Sequence, residues 1–117
     1  MIKLKRAYEA RSESDGLRIL VDHLWPRGLK KEHAGIAEWE KEVSPSTELR
    51  QWFQHDPAKW EEFRKRYFKE LQGRAQAVSR LAEKARRETI TFVYGARDER
   101  HNNAVALKEY IEKHASG

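Results

Sequence analysis

Apolar Ile2 and Leu4 alternate with charged Lys3 and Lys5, which predicts a half-exposed strand over residues 2–8. Ser12-Glu13-Ser14-Asp15-Gly16 then supplies turn chemistry. Leu17-Arg18-Ile19-Leu20-Val21 is an aliphatic, β-branched run that predicts a buried central strand. His23-Leu24-Trp25-Pro26-Arg27-Gly28 interrupts it, because Pro and Gly end regular structure. Residues 29–35 predict a short helix ended by Gly35. Residues 36–43, with Ile36, Trp39 and Val43 apolar among charges, fit a strand and a helical turn equally well.

Helical spacing dominates the middle of the chain. Ser46 is the expected N-cap of a short helix over residues 47–53, with Leu49, Trp52 and Phe53 on one side. Asp56 and Pro57 have the pattern of a cap followed by a first helical position. Trp60, Phe63, Tyr67, Phe68 and Leu71 then recur at helical intervals. Gly73 interrupts, and Ala75, Val78, Leu81, Ala82 and Ala85 carry a second helix to about Arg87. Thr89-Ile90-Thr91-Phe92-Val93-Tyr94 has strand composition and no helical period. A last helix is expected from about Asn102 to His114, with Ala104, Leu107 and Ile111 inward.

Strands separated by helical stretches predict an α/β fold: a small, at least partly parallel sheet of about four strands, covered by helices. The link between the first two strands is too short for a full crossover helix, so an irregular crossover and a hairpin both fit. At 117 residues, without repeats, low-complexity tracts or linkers, the chain reads as a single domain over residues 1–117.

Composition narrows the chemistry. Charged residues make up 37% and hydrophobic ones 38%, but four Trp, four Tyr and four Phe keep a core feasible. No apolar run approaches the roughly 20 residues needed to cross a bilayer, and the first charges are followed by no apolar leader. A cytoplasmic address without membrane partners is therefore expected. Having no cysteine, the chain forms no disulfide, cysteine-ligated zinc site or thiolate nucleophile. Lys and Arg total 24 against 19 Asp and Glu, and the surplus falls in residues 57–88. A basic helical hairpin there suits nucleic-acid phosphates, whereas the plainer reading is a solvated face laced with Glu–Arg and Glu–Lys pairs. The aromatics of this segment follow its apolar stripe and so read as core rather than as stacking platforms.

Candidate chemistry gathers where the strands end, since open parallel sheets bind ligands beyond their carboxyl edges. Asp22, Asp98 and His101 are the acid/base candidates. Arg27, with Arg97 or Arg50, would hold an anionic group, and Tyr94 and Asn102 belong to the same loops. Each residue also has a structural alternative. Asp22 would brace a loop, Trp25-Pro26 would act as a packing wedge, Arg27 would pair with Asp22 or Asp98, and Asn102 would cap a helix. His55-Asp56 reads first as a helix start and second as acid/base machinery. Neighbouring parallel strands carry their following loops to the same end of the sheet, so Asp22, Arg27, Asp98 and His101 are expected to converge on one cleft. No HExxH spacing, nucleophile elbow, Gly-rich phosphate loop or dinucleotide fingerprint is present, so no metal site, cofactor or reaction is named. The expected function is binding, with or without turnover, of a small anionic ligand. The alternatives are a nucleic-acid module using residues 57–88 and a protein-interaction domain without chemistry.

Four ordered motifs carry a resemblance: Val21-Asp22-His23-Leu24-Trp25-Pro26-Arg27-Gly28, then Pro45-Ser46-Thr47-Glu48-Leu49-Arg50-Gln51-Trp52-Phe53, then His55-Asp56-Pro57 with Trp60, Phe63 and Tyr67, and finally Tyr94-Gly95-Ala96-Arg97-Asp98 through His101-Asn102-Asn103-Ala104. In these the chain resembles the YeaO-like family of small prokaryotic proteins across almost its whole length. The resemblance implies an α/β domain of the same extent and no particular reaction. Arg27, Arg50, His55, Asp56, Asp98, His101 and Asn102 match the family pattern, whereas His23 stands where the family usually has Arg. Larger related domains carry a cysteine in the loop after the last strand. The corresponding residues 98–103 have none, so no thiol mechanism carries over.

Overall fold

Alternation along the strands sorts their side chains onto two faces with different covers. The computed structural model describes residues 1–114. Strands β1 (Ile2–Arg6), β2 (Leu17–Leu20), β3 (Glu38–Trp39) and β4 (Ile90–Tyr94) form one all-parallel sheet in the order β1-β4-β2-β3. The last strand lies in the middle. Both Ile2 and Leu17 pair in register with Ile90. The expectation that the 17–21 and 89–94 segments are neighbouring buried strands therefore holds, and every residue of β4 is buried.

On one face Ile2, Ile19, Val21, Ile90, Phe92 and Tyr94 pack with the helices into the main core. Those helices are α2 (Thr47–Phe53), α3 (Trp60–Gln72), α4 (Ala75–Arg87) and α5 (Asn103–His114), which follow α1 (Lys31–Ala34) in the chain. Apolar spacing explains the arrangement. Phe63, Tyr67 and Leu71 of α3 and Val78 and Leu81 of α4 fall on buried stripes. On the opposite face Ala7, Leu20 and Val93 form a smaller cluster, covered by Trp25, Leu29, Ile36 and Trp39. The four longer helices thus share one side of the sheet, and the other is covered by loops and a single helical turn.

The first connection is an irregular crossover. Residues 7–16 step past the position of β4 with only a 3-10 turn at Glu13–Asp15, which Ser12 closes through a capping box. Gly16, at φ 62°, leaves the turn where a Cβ would sit 2.1 Å from the Thr89 carbonyl oxygen. Arg18, almost wholly buried, satisfies this loop by donating from Nη1 to Asp15 (2.9 Å) and from Nε to the Ala34 carbonyl (3.1 Å). The ambiguous 36–43 stretch resolves into the two-residue β3 and a 3-10 turn at Lys41–Val43.

Candidate functional site

Asp22 lies just past the end of β2, and together with Val21 it binds three other segments. Its Oδ2 accepts the Gly95 N–H at 2.8 Å, joining the ends of β2 and β4. Its carbonyl accepts the Trp39 indole N–H at 2.8 Å, and the preceding Val21 carbonyl accepts Asn103 Nδ2 at 3.0 Å. Gly95 permits the approach, because a Cβ there would stand 3.3 Å from Asp22 Oδ2. The second carboxylate oxygen, Oδ1, is buried and accepts no hydrogen bond from the described residues. Burial pushes the Asp22 carboxyl above the ordinary carboxylate value, against the Gly95 N–H, the Asn103 amide and the positive fields of His55 and Arg50.

A cavity of about 310 Å³ opens at this place. Asp22, Arg50, His55 and Asn102 contribute its polar wall, and Phe53 and Phe63 are among its apolar lining. Helix α2 positions Arg50. Ser46 caps that helix by accepting the Leu49 N–H, and its own N–H and hydroxyl donate to Glu70 of α3. The Arg50 guanidinium is anchored from behind, with Nε on the Pro45 carbonyl (3.2 Å) and Nη2 on Thr47 Oγ1 (2.9 Å). It makes no ion pair with Asp22 across the cavity. His55 reaches the rim from an αL backbone at φ 56°, next to Gln54 at φ 46°. Such a pair of non-glycine residues costs on the order of 1 kcal/mol each.

The other expected residues fall elsewhere. Pro26 to Leu29 form a turn closed by the Leu29 N–H on the Pro26 carbonyl, with Gly28 at φ 78°. Arg27 is exposed and outside the cavity lining, and its backbone carbonyl accepts the Tyr8 hydroxyl. The alternative Arg27 pairing with Asp22 or Asp98 is absent among the described residues. Trp25 packs edge-on against Trp39 at 5.5 Å and donates to the Leu29 carbonyl, so the Trp-Pro pair is a packing wedge. Arg97 is exposed. Tyr94 is buried in the main core, and burial raises its phenol above the ordinary value.

Asp98 and His101 meet each other and not Asp22. Asp98 Oδ1 accepts the N–H groups of Arg100 and His101, and Oδ2 lies 2.9 Å from His101 Nδ1. The Arg100 N–H, followed by His101, holds the Asp98 carboxyl below its ordinary value. The His101 ring abuts Trp60 at 5.3 Å, and Trp60 stacks on Phe63 of the cavity wall. Asn102 is buried and committed, donating to the Asp98 carbonyl and accepting the Val105 N–H as the cap of α5. The four-residue convergence expected from strand geometry thus reduces to Asp22, joined by Arg50, His55 and Asn102. His55 carried a local signal, a polar break between two helices beginning at Pro57, but its turn toward the cavity depends on αL geometry that no residue type there announces.

Among the described residues no group of three or more His, Asp or Glu could hold a metal ion, and no helix is long and apolar enough to cross a membrane. Most of the basic residues of 57–88 are engaged internally. Arg64 pairs with Glu61 and Glu109, Arg66 with Glu62, Arg80 with Glu42, Lys84 with Glu38, and Arg86 and Arg87 with Glu83.

Comparison with known proteins adds a lineage. The uncharacterized protein YeaO of Escherichia coli (strain K12) is 42% identical over 110 residues, spanning 94% of this chain and 96% of its own length. The uncharacterized protein Rv3073c of Mycobacterium tuberculosis (strain H37Rv) is 36% identical over 110 residues, spanning 94% of this chain and 92% of its own. No solved structure matches. A family model described as the inactive DUF488-N3 subclade matches residues 1–116, and the chain belongs to that family.

Proposed function

We propose that this protein binds a small anionic molecule in the cavity at the carboxyl ends of β2 and β4, and holds it without turnover. The observation that carries this reading is Arg50. Its guanidinium is half-buried and fixed from behind by a carbonyl and a hydroxyl, and among the described residues no carboxylate forms an ion pair with it. A fixed, partly desolvated cation without a counter-ion is a ready receptor for carboxylate or phosphate oxygens. His55 on the rim adds a donor. The cavity volume lies at the lower end of the roughly 300–1,000 Å³ usual for ligand pockets, which suits a metabolite-sized molecule.

Binding is favoured over chemistry because the hydrogen-bonded Asp98–His101 pair lies outside the cavity lining. The family description as inactive supports the same choice. The test is a titration of the isotope-labelled protein with acetate and inorganic phosphate, followed by amide NMR. Shifts confined to Gly95, His55 and Asn102, and lost in Arg50→Gln, are expected. Uniform weak shifts over the basic surface of α3 and α4, or none at all at tens of millimolar anion, would overturn the reading.

A further inference from the structure

Arg50 accounts for an anion, but Asp22 in the lining of the same cavity makes a second demand. Asp22 Oδ1 is buried and without a hydrogen-bond partner, whereas Oδ2 is satisfied by Gly95. Buried polar atoms in folded proteins are nearly always paired, and an unpaired one at a cavity wall identifies where a ligand donor would be stabilising. Neither neighbouring donor makes a hydrogen bond to Oδ1. The Asn103 amide lies near the Asp22 carboxyl but gives a hydrogen to the Val21 carbonyl, and the Trp39 indole gives its hydrogen to the Asp22 carbonyl. A ligand that were only an anion would bring its charge toward this carboxylate as well as toward Arg50.

We infer that the molecule accepted here carries a hydrogen-bond donor beside its anionic group, an α-amino or α-hydroxy acid, whose carboxylate meets Arg50 and whose ammonium or hydroxyl meets Asp22 Oδ1. This rests on the reading of the cavity as an anion-binding site. Phe53, Phe63, Pro45 and Leu24 line the remainder, so the ligand's side chain is small and apolar. Arg50 and Asp22 act as a two-point discriminator. The cation selects for the carboxylate, and the buried acceptor rejects analogues that lack the donor, because rejection follows from leaving a buried polar group unpaired.

The experiment compares leucine, 2-hydroxy-4-methylpentanoate and 4-methylpentanoate, three molecules of one carbon skeleton, by calorimetric and NMR titration at pH 7.5. Leucine and the hydroxy acid are expected to bind roughly tenfold or more tightly than the plain acid. Asp22→Asn keeps an acceptor for the Gly95 N–H, turns a donor toward the ligand and is expected to erase the preference for leucine, and Arg50→Gln to weaken all three. Equal affinities, or a preference for leucine that survives in Asp22→Asn, would overturn the inference and leave the anion site standing. If none of the three binds, the inference fails, and the acetate and phosphate titrations decide the anion site separately.

Discussion

Asp22→Asn is expected to stabilise the protein at neutral pH while impairing its site. The wild-type carboxylate is buried with Oδ1 unpaired, and an unsatisfied buried polar group costs about 1–3 kcal/mol, more when charged. The amide keeps an oxygen for the Gly95 N–H, a weaker acceptor by about 1 kcal/mol, and puts an unpaired but uncharged NH2 where Oδ1 stood. Because a neutral group costs less to leave unpaired than a charged one, the expected net gain is at most about 1 kcal/mol, or about 4 °C in Tm for a domain of this size. The pH dependence gives a second handle. Because burial raises the native pKa, the folded protein keeps the Asp22 proton over a range in which the unfolded chain releases it. That stabilising contribution is complete below the unfolded value of about 3.9 and is lost as pH rises through the native value. Wild type should therefore gain on the variant as pH falls, and the two should converge near pH 4. Urea titrations of both proteins between pH 4 and 8 provide the measurement. A variant destabilised by more than about 1 kcal/mol at pH 7.5, or a pH-independent difference, would refute the account of Asp22 as a strained acceptor.

Two further outcomes test the framework that holds the site. Arg18→Met strands the buried Asp15 with Lys5 as its remaining cation and frees the Ala34 carbonyl, so a loss of about 3–5 kcal/mol is expected in urea denaturation. A loss under 1 kcal/mol would show that Lys5 suffices. The two glycines of the loops should separate in thermal melts. Gly16→Ala drives a Cβ to within 2.1 Å of the Thr89 oxygen and is expected to abolish folding at 37 °C. Gly28→Ala has open space and only its positive φ to oppose it, at about 1–2 kcal/mol, and the reverse order would refute the packing argument.

The elements with long, unmixed patterns were legible in the sequence. Helix α2 spans residues 47–53 as its Ser46 cap and Leu49/Phe53 spacing indicated, and β4 emerges from an apolar, β-branched run. Strand β3 was obscure because two residues carry no period, and Trp39 joins the sheet only through its register with Leu20. The site was legible as a location and not as a roster. Strand order brings the Asp22 and Gly95 loops together, but the turn at Pro26–Leu29 leaves Arg27 exposed, and an Asx turn at Asp98 pairs that carboxylate with His101. Side-chain direction within loops depends on φ at single residues, which hydrophobic pattern does not encode. Arg50 was a second choice by sequence because it belongs to a helix rather than to a strand end. It reaches the cavity through the packing of α2 on α3.

Strand β4 separates two neighbours that do not pair with each other, since β1 and β2 lie on either side of it. During synthesis, the first 89 residues can therefore form helices and turns, but no hydrogen-bonded β1–β2 pair waits for the rest. β1 has no strand partner, and the short β2–β3 pair has only one, until residues 90–94 leave the ribosome. Such a chain folds late and as one unit, because its decisive pairings join residues 2 and 17 to residue 90 and close long loops before any reward arrives. The same ordering places Asp22 and Gly95, the two halves of the cavity hinge, in the final event. A nascent or truncated chain lacking that strand has no cavity, so ligand recognition is confined to molecules whose translation has passed the sheet's keystone.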